Sequence, residues 1–377
     1  MKDKSVILVG PIVNHHSLYE NMLLFLLQYF KNVTFISRTS IIKEIINDNI
    51  QFKDIKFIYD DSLVDKVYRN NIDLINKQDI FIADEYNSAY LRMFNVKFLN
   101  KKKLIILHNI NRWTAFNKRI VSKYFIDWFF RKRLLNQFDA IITMGPNIKS
   151  YYMSKKLQKK CFFFPFDEYT GSTNSTQKNK NSNIIISVPG TISEKRRNYI
   201  ELLKVLQKYY SANKDSKIIF KFLGKINPGG SQDLLEKINY INSKFGKRIF
   251  FWNHFISSEE FNQVLETSDL IFSNIILNQK VRNITEVYGI SKESGISYII
   301  YKYAKPAIVP IKQNILSGFD SQLLLFNNYH EIFEILSKIE MNEIDLQALK
   351  EVALRNRESF NKLIDIEKKD LLNYLLK

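Results

Sequence analysis

One cysteine, Cys161, in 377 residues excludes an internal disulfide framework and suits a reducing compartment. It abuts the apolar run Phe162–Phe164 and is expected to be buried and inert. No apolar stretch approaches the ~20 residues of a membrane-spanning helix. The start, MKDKSVILVGP, offers only about five apolar residues before a Gly-Pro turn, too few for a secretory leader. A cytoplasmic protein is expected, or one peripheral to the inner face of the cell membrane. Acids are also short: 38 Asp and Glu against 56 Lys and Arg leave a net charge of +18. Such a chain calls for an anionic partner, whether phosphate, nucleic acid or an acidic lipid surface. The five histidines are scattered apart from the pair His15-His16, and none has metal-ligand spacing, so no metal is expected. No GxGxxG is present, which leaves little support for a dehydrogenase.

What is present is alternation. Apolar runs at Ser5–Val9, Val33–Ile36, Ile55–Tyr59, Asp79–Ile82, Leu104–His108 and Ala140–Thr143 read as strands, separated by amphipathic stretches such as Leu18–Phe30 and Ile41–Asn47. A polar segment, YTGSTNSTQKNKNS, is the best linker in the chain. After it the pattern restarts, with strands at Ile184–Val188, Ile218–Leu223, Ile249–Trp252, Leu270–Ser273 and Ala307–Val309, and helices including Glu259–Thr267 and Gly295–Tyr303. The last ~50 residues read as helical by period. The expectation is an α/β protein of two Rossmann-like domains facing across a cleft, with a helical C-terminal segment. The expected boundaries are 1–168, a linker at 169–182, 183–350, and a segment 351–377 for which packing back on the first domain is one option.

Open parallel sheets bind ligands at the carboxyl ends of their strands, so residues just after strands carry the functional reading. The most informative stretch is VPGTISEKRRNY, where a strand stops at Pro189-Gly190, Lys195, Arg196 and Arg197 follow, and a helix begins near Tyr199. Backbone N–H groups at a helix N-terminus favour an anion, and three cations beside it favour a phosphate. The alternative is a solvated basic loop. Other strand-end candidates are His15 and His16, Asp84-Glu85, His108, Lys225 after Gly224, His254 and Phe255, and the loop Tyr288–Gly295. A histidine among them is suited to general-base work. Asp84-Glu85 could serve as a base or bind ligand hydroxyls, or simply cap a following helix.

These motifs resemble those of glycosyltransferases of the GT-B fold, especially the family-four-like enzymes of bacterial surface polysaccharide synthesis. The resemblance lies in GPIVNHHS, LHNINRW, FDAIITMGPNIKSYY, VPGTISEKRRNYIELLKVL, SSEEFNQVLETSDLIFSN and YGISKESGISYIIYKYAKPAIVP. It implies a nucleoside-diphosphate sugar, with UDP or GDP as the nucleotide, as donor on the C-terminal domain and a saccharide acceptor on the N-terminal one. Lys195, Arg196 and Arg197 would meet the diphosphate, joined by Ser294 and Gly295 at a helix start. No cofactor and no metal would be needed. The chain departs from the family in one respect. The second of its two donor-loop glutamates falls on Ile299, and Glu286 and Glu293 are spaced one residue too closely. Glu293 is a candidate for a ribose or sugar-hydroxyl contact.

The segment Lys101–Arg133 carries ten Lys or Arg against one acid, Asp127. A helix from Trp113 onward would bury a stripe of Trp113, Ile120, Tyr124, Trp128 and Leu135. Its other side mixes Ile126, Phe129 and Phe130 with Arg119, Lys123 and Arg133, a composition suited to an anionic membrane and a polyprenyl-linked acceptor. An ordinary buried helix is the competing reading. The functional alternatives are a nucleotide-sugar 2-epimerase of the same shape, a basic nucleic-acid-binding protein, for which no motif appears, and an inactive scaffold.

Overall fold

The computed structural model describes all residues except 1, 13–14, 48–51, 86–92, 94, 116–121, 170–182, 195, 227–231, 255 and 282–283. The polar linker, apart from Tyr169, thus lies outside the described residues, as do Lys195, Phe255 and Arg119. The chain divides into two compact units, the first comprising Met1–Glu168, Lys280–Glu293 and Lys362–Lys377, the second Tyr169–Gln279 and Ser294–Asn361.

The first unit holds strands β1 (Lys2–Val9), β2 (Phe30–Ser37), β3 (Ile55–Tyr59), β4 (Ile80–Asp84), β5 (Lys102–Leu107), β6 (Ala140–Thr143) and β7 (Lys160–Phe163). They form one sheet in the order β3-β2-β1-β4-β5-β6-β7, every neighbouring pair parallel. Between them run α1 (His16–Tyr29), α2 (Thr39–Asn47), α3 (Val64–Asn70), α4 (Ile72–Asn76), α5 (Ile110–Thr114), α6 (Ser122–Asn136) and α7 (Pro146–Ser154). Val6, Ile7, Leu8 and Val9 are all buried, alternate residues entering two separate apolar clusters on opposite faces of the sheet. That is why these strands read as unbroken apolar runs: a parallel strand covered on both faces has no polar side.

The second unit repeats the plan with β8 (Ile184–Pro189), β9 (Ile218–Lys225), β10 (Ile249–Trp252), β11 (Leu270–Phe272) and, beyond a hairpin of β12 (Asn278–Val281) and β13 (Ile284–Val287), β14 (Ala307–Pro310) and β15 (Leu323–Phe326). The six-stranded sheet runs β10-β9-β8-β11-β14-β15, again all parallel. Its helices are α8 (Tyr199–Ala212), α9 (Gln232–Phe245), α10 (Ser258–Thr267), α11 (Gly295–Lys302) and α12 (Tyr329–Glu340), followed by the long α13 (Leu346–Leu376). Helix α8 buries Tyr199, Leu202, Leu203, Leu206, Tyr209 and Tyr210, a single apolar stripe at helical period. At the start of α10 the Ser257 hydroxyl accepts the Glu260 N–H at 3.1 Å, the serine half of a capping box.

Both sheets reverse strand order beside their first strand, between β1 and β4 and between β8 and β11, the positions where such sheets bind ligands. Segment Lys280–Glu293 belongs to the first unit although the sequence places it in the second half. It is held there by α5: the Ile110 N–H donates to the Ser291 carbonyl at 2.8 Å, and Glu286 accepts the Arg112 N–H at 2.7 Å and the Asn111 N–H at 3.3 Å. The end of α13 also packs in the first unit, where Leu371 and Leu375 are fully buried. Lys4 donates to the carbonyls of Leu375 and Leu376 and Lys102 to that of Tyr374. Two cations thus cap the negative end of the helix dipole.

The continuous helix from Trp113 does not form. Helix α5 ends at Thr114, Ala115 is extended, and α6 begins at Ser122. Trp113 is buried in the apolar core cluster, and its indole Nε1–H reaches Glu85 at 3.2 Å. Phe130, expected on an outward face, instead packs against the core cluster that includes Trp113 and Leu134.

Candidate active site

At the reversal point of the first sheet, three side chains and one backbone N–H converge on a single carboxylate. Asp84 ends β4 and is fully buried. One of its oxygens accepts from His15 Nδ1 at 2.9 Å and from the Tyr19 hydroxyl. The other accepts from His108 Nε2 at 2.5 Å and from the Glu85 N–H at 2.8 Å. The two imidazoles stack, with ring centroids 3.9 Å apart and planes at 27°.

The charges follow from burial and proximity. Burial alone would raise the Asp84 carboxyl, but the charge and hydrogen bonds of His108 and His15 outweigh it and hold Asp84 well below the usual carboxylate range. Burial opposes a charged His108, yet the Asp84 charge and hydrogen bond raise it above 6.5. His15 is lowered below 6.5, by burial and then by the charge of His108. The two directions favour the shared proton on His108 and a neutral His15. A carboxylate only accepts, so His15 carries its hydrogen on Nδ1 and a lone pair on Nε2. The charged His108 has a second N–H, at Nδ1, buried without a partner among the described residues. The arrangement supplies a base at one ring and a donor at the other.

Glu85 plays another part. It is fully buried and accepts the N–H groups of His108 at 2.8 Å and Asn109 at 3.2 Å, the Asn109 side-chain amide, and Trp113. It fixes the β5–α5 turn that presents His108. Burial raises Glu286, which clamps the same turn from the other side. His16, by contrast, is the first residue of α1, is 39 % exposed, and faces Glu44 at 3.6 Å. The sequence offered His15 and His16 as equals, and the helix start separates them.

His15, Asp84 and His108 place three ligand-type atoms within 4.8 Å of one another, a set that could present itself to a metal ion. Scanning for ligand spacing misses it, because the three are far apart in sequence: His15 precedes α1, Asp84 ends β4 and His108 follows β5. Both oxygens of Asp84 already take two hydrogen bonds each, so the group is satisfied as a proton-sharing cluster.

Tyr19 is the member that sequence reasoning missed, since nothing local distinguishes it from an ordinary core tyrosine. It is fully buried, donates to Asp84 and accepts the Ile12 N–H at 3.2 Å, tying the loop before His15 to the carboxylate. A Cβ at Gly10 would strike its ring. Tyr19→Phe will leave Asp84 one donor short and the Ile12 N–H unpaired, costing about 1–3 kcal/mol of stability. With less hydrogen bonding the carboxylate draws protons more strongly, so both histidines should titrate at higher pH. NMR titration of the imidazoles, alongside a melting curve, checks both effects; unmoved histidines would show that Tyr19 only fills space.

In the second unit the loop after β8 is built around Gly190, at φ +104°, with the Arg197 guanidinium lying where a side chain would be. Arg197 donates to the Thr191 carbonyl at 3.1 Å, and its buried Nε has no partner among the described residues. A Cβ on Gly224 would collide with the Gly190 carbonyl, so β8 and β9 close together only with glycine there. Arg196 is exposed, its carbonyl held by the Ile276 N–H at 2.9 Å. Lys225 and His254 are exposed at the ends of β9 and β10. Ser294 caps α11, accepting the Ile296 N–H, and open space lies beside Gly295. Glu293 is in the first unit, its carboxylate against Gly145 at the N-terminus of α7.

Comparison by sequence finds no match among protein-family models or among curated proteins. Comparison by structure does. A glycosyltransferase from Rickettsia africae superposes with a TM-score of 0.65 at 15 % identity, covering 100 % of this chain and 98 % of that one. HepE from Anabaena, solved with UDP, gives 0.63 at 11 % identity, covering 99 % of each chain. A UDP-forming trehalose-phosphate synthase from Burkholderia vietnamiensis gives 0.63 at 9 % identity, covering 99 % of this chain and 98 % of that one. The chain has the GT-B fold. In GT-B terms, the histidine–aspartate cluster stands at the strand ends of the first Rossmann-like unit and the Gly190–Arg197 loop at those of the second.

Proposed function

We propose that this GT-B protein is a glycosyltransferase that moves a sugar from a nucleoside diphosphate, UDP, to a saccharide acceptor in bacterial surface polysaccharide synthesis. The observation that carries the proposal is the buried His15–Asp84–His108 cluster, in a fold shared over nearly its whole length with HepE solved with UDP. Glycosyl transfer asks for a base toward the acceptor hydroxyl and positive charge toward the departing diphosphate. Neutral His15, with its lone pair on Nε2, is the base. Asp84 fixes its tautomer and keeps His108 charged, and the free Nδ1–H of His108 is a donor for a sugar oxygen. Glu85 and Glu286 act by holding the turn that carries His108.

On the second unit, Arg196 and Arg197, with Lys195, receive the diphosphate. The N–H groups at the start of α11, with Ser294 and Gly295, add uncharged donors. No metal or cofactor is assigned to the reaction. The acceptor is assigned to a lipid carrier at the inner face of the membrane, so the protein acts as a peripheral one. No helix among the described residues is long and apolar enough to cross a membrane.

A thermal-shift screen against nucleoside diphosphates and their sugars tests the reading. A ligand at a hundred times its dissociation constant stabilises by about 2.7 kcal/mol. UDP or a UDP-sugar should raise the melting temperature by several degrees, and AMP or NAD should not. No shift with any nucleotide sugar would remove the proposal. If the sugar is altered without acceptor, the protein is an epimerase.

A further inference from the structure

Helix α6 carries an outward face that the glycosyl-transfer reading does not use. Phe125 is 46 % exposed, Ile126 47 % and Phe129 47 %, with Lys132 and Arg133 exposed on the following turn. The inner side of the helix is an ordinary core face: Leu134 and Leu135 are buried, and Phe130 packs against the cluster they belong to. Asp127 is the helix's only acid, and it is bound at 3.1 Å to Arg131, itself 1 % exposed. The outward face is therefore apolar and cationic with no acid in it. Trp128 bridges its two halves, its ring 5.8 Å from that of Phe125 and 5.0 Å from the Lys132 ammonium.

We propose that this face of α6 docks the first unit onto an anionic lipid bilayer. The helix lies in the plane of the surface, with Phe125, Ile126 and Phe129 at the boundary of headgroups and acyl chains and Lys132 and Arg133 on lipid phosphates. The charge pattern selects this occupant. An isologous contact between two copies through the same face would bring Lys132 and Arg133 against the partner's apolar half, with no acid on the face to meet them. A nucleic acid would recruit the cations and the aromatic rings but leave Ile126 without a role. The proposal deepens the lipid-linked acceptor part of the functional reading, yet rests on its own observation.

The test uses the full chain and no sugar, so a failure of the glycosyl-transfer reading would not touch it. The protein is floated with vesicles of phosphatidylcholine alone and with vesicles containing about one-third phosphatidylglycerol, at low and high salt. Binding is expected on the anionic vesicles only, weakening with salt. Phe125→Ser with Phe129→Ser, and separately Lys132→Glu with Arg133→Glu, should each lower the bound fraction by about tenfold while melting as the parent does. These residues are exposed, so folding is not at stake. Equal flotation of parent and variants, equal binding to neutral vesicles, or light scattering that shows a dimer abolished by the same changes would overturn the proposal.

Discussion

Asp84→Asn will lower turnover by roughly a thousandfold, since losing the carboxylate that orients a catalytic histidine costs up to about 10⁴ in kcat. Asparagine offers one acceptor and one donor where the carboxylate accepts from four groups: Tyr19, His15, His108 and the Glu85 N–H. It cannot balance a charged His108, and it no longer dictates which nitrogen of His15 carries the hydrogen. The pH profile should change with it. In the parent, the lowered His15 stays neutral to below pH 6.5, while the raised His108 stays charged above it, so activity should span that value. The stacked rings titrate as a pair, and the two limbs belong to the pair. In the variant His108 loses its countercharge, and the alkaline limb should move to lower pH. Stability follows the same signs. The part due to the depressed Asp84 is present above the ordinary carboxylate pKa and lost as acid protonates it, and the part due to His108 is lost as alkali deprotonates it. Unchanged turnover, or a profile identical to the parent's, would show the cluster to be structural.

The second large effect is expected at the β8 loop. Arg196→Ala should reduce kcat/KM with the nucleotide sugar by about 10²–10³-fold, the scale of removing one preorganised donor from a developing anion. Arg196 is exposed, so its melting temperature should stay close to the parent's. Arg197→Ala should show a similar kinetic loss and also destabilise, because Arg197 covers Gly190 and holds the Thr191 carbonyl. Arg196→Lys should recover only part of the loss, a point charge replacing a planar fork. Steady-state kinetics beside calorimetric melting separates the two roles. If Arg196→Ala leaves the kinetics unaltered, the diphosphate does not bind here.

The strands were legible because buried parallel strands write themselves as apolar runs, and β1, β3 and β8 are found close to where the residues suggest. Strands β7 and β15 were not foreseen. The first is a four-residue KCFF opening on an exposed lysine, and the second, LLLF, has an exposed Leu325. The hairpin of β12 and β13 escaped for a different reason: its attachment to α5 runs through backbone groups and Glu286, and no periodicity records such a contact. The helix expected through Trp113 failed because Ala115 leaves helical geometry, a local backbone choice that near-helical spacing of apolar residues does not record.

Composition, period and turn chemistry determined two α/β units and cationic character at the start of the second, and pointed to the strand ends as candidate sites. These are local properties, carried by neighbours in sequence, and a chain displays them before it folds. Only the tertiary structure decided that His15 rather than His16 meets Asp84, that Tyr19 completes the cluster, that Glu85 and Glu286 grip the His108 turn, and that Phe129 faces out while Phe130 faces in. Those outcomes depend on which strands become neighbours and on the angle at which each helix leaves its loop. A buried carboxylate acquires its charge and its partners from groups dozens of residues away, so its role is settled by packing.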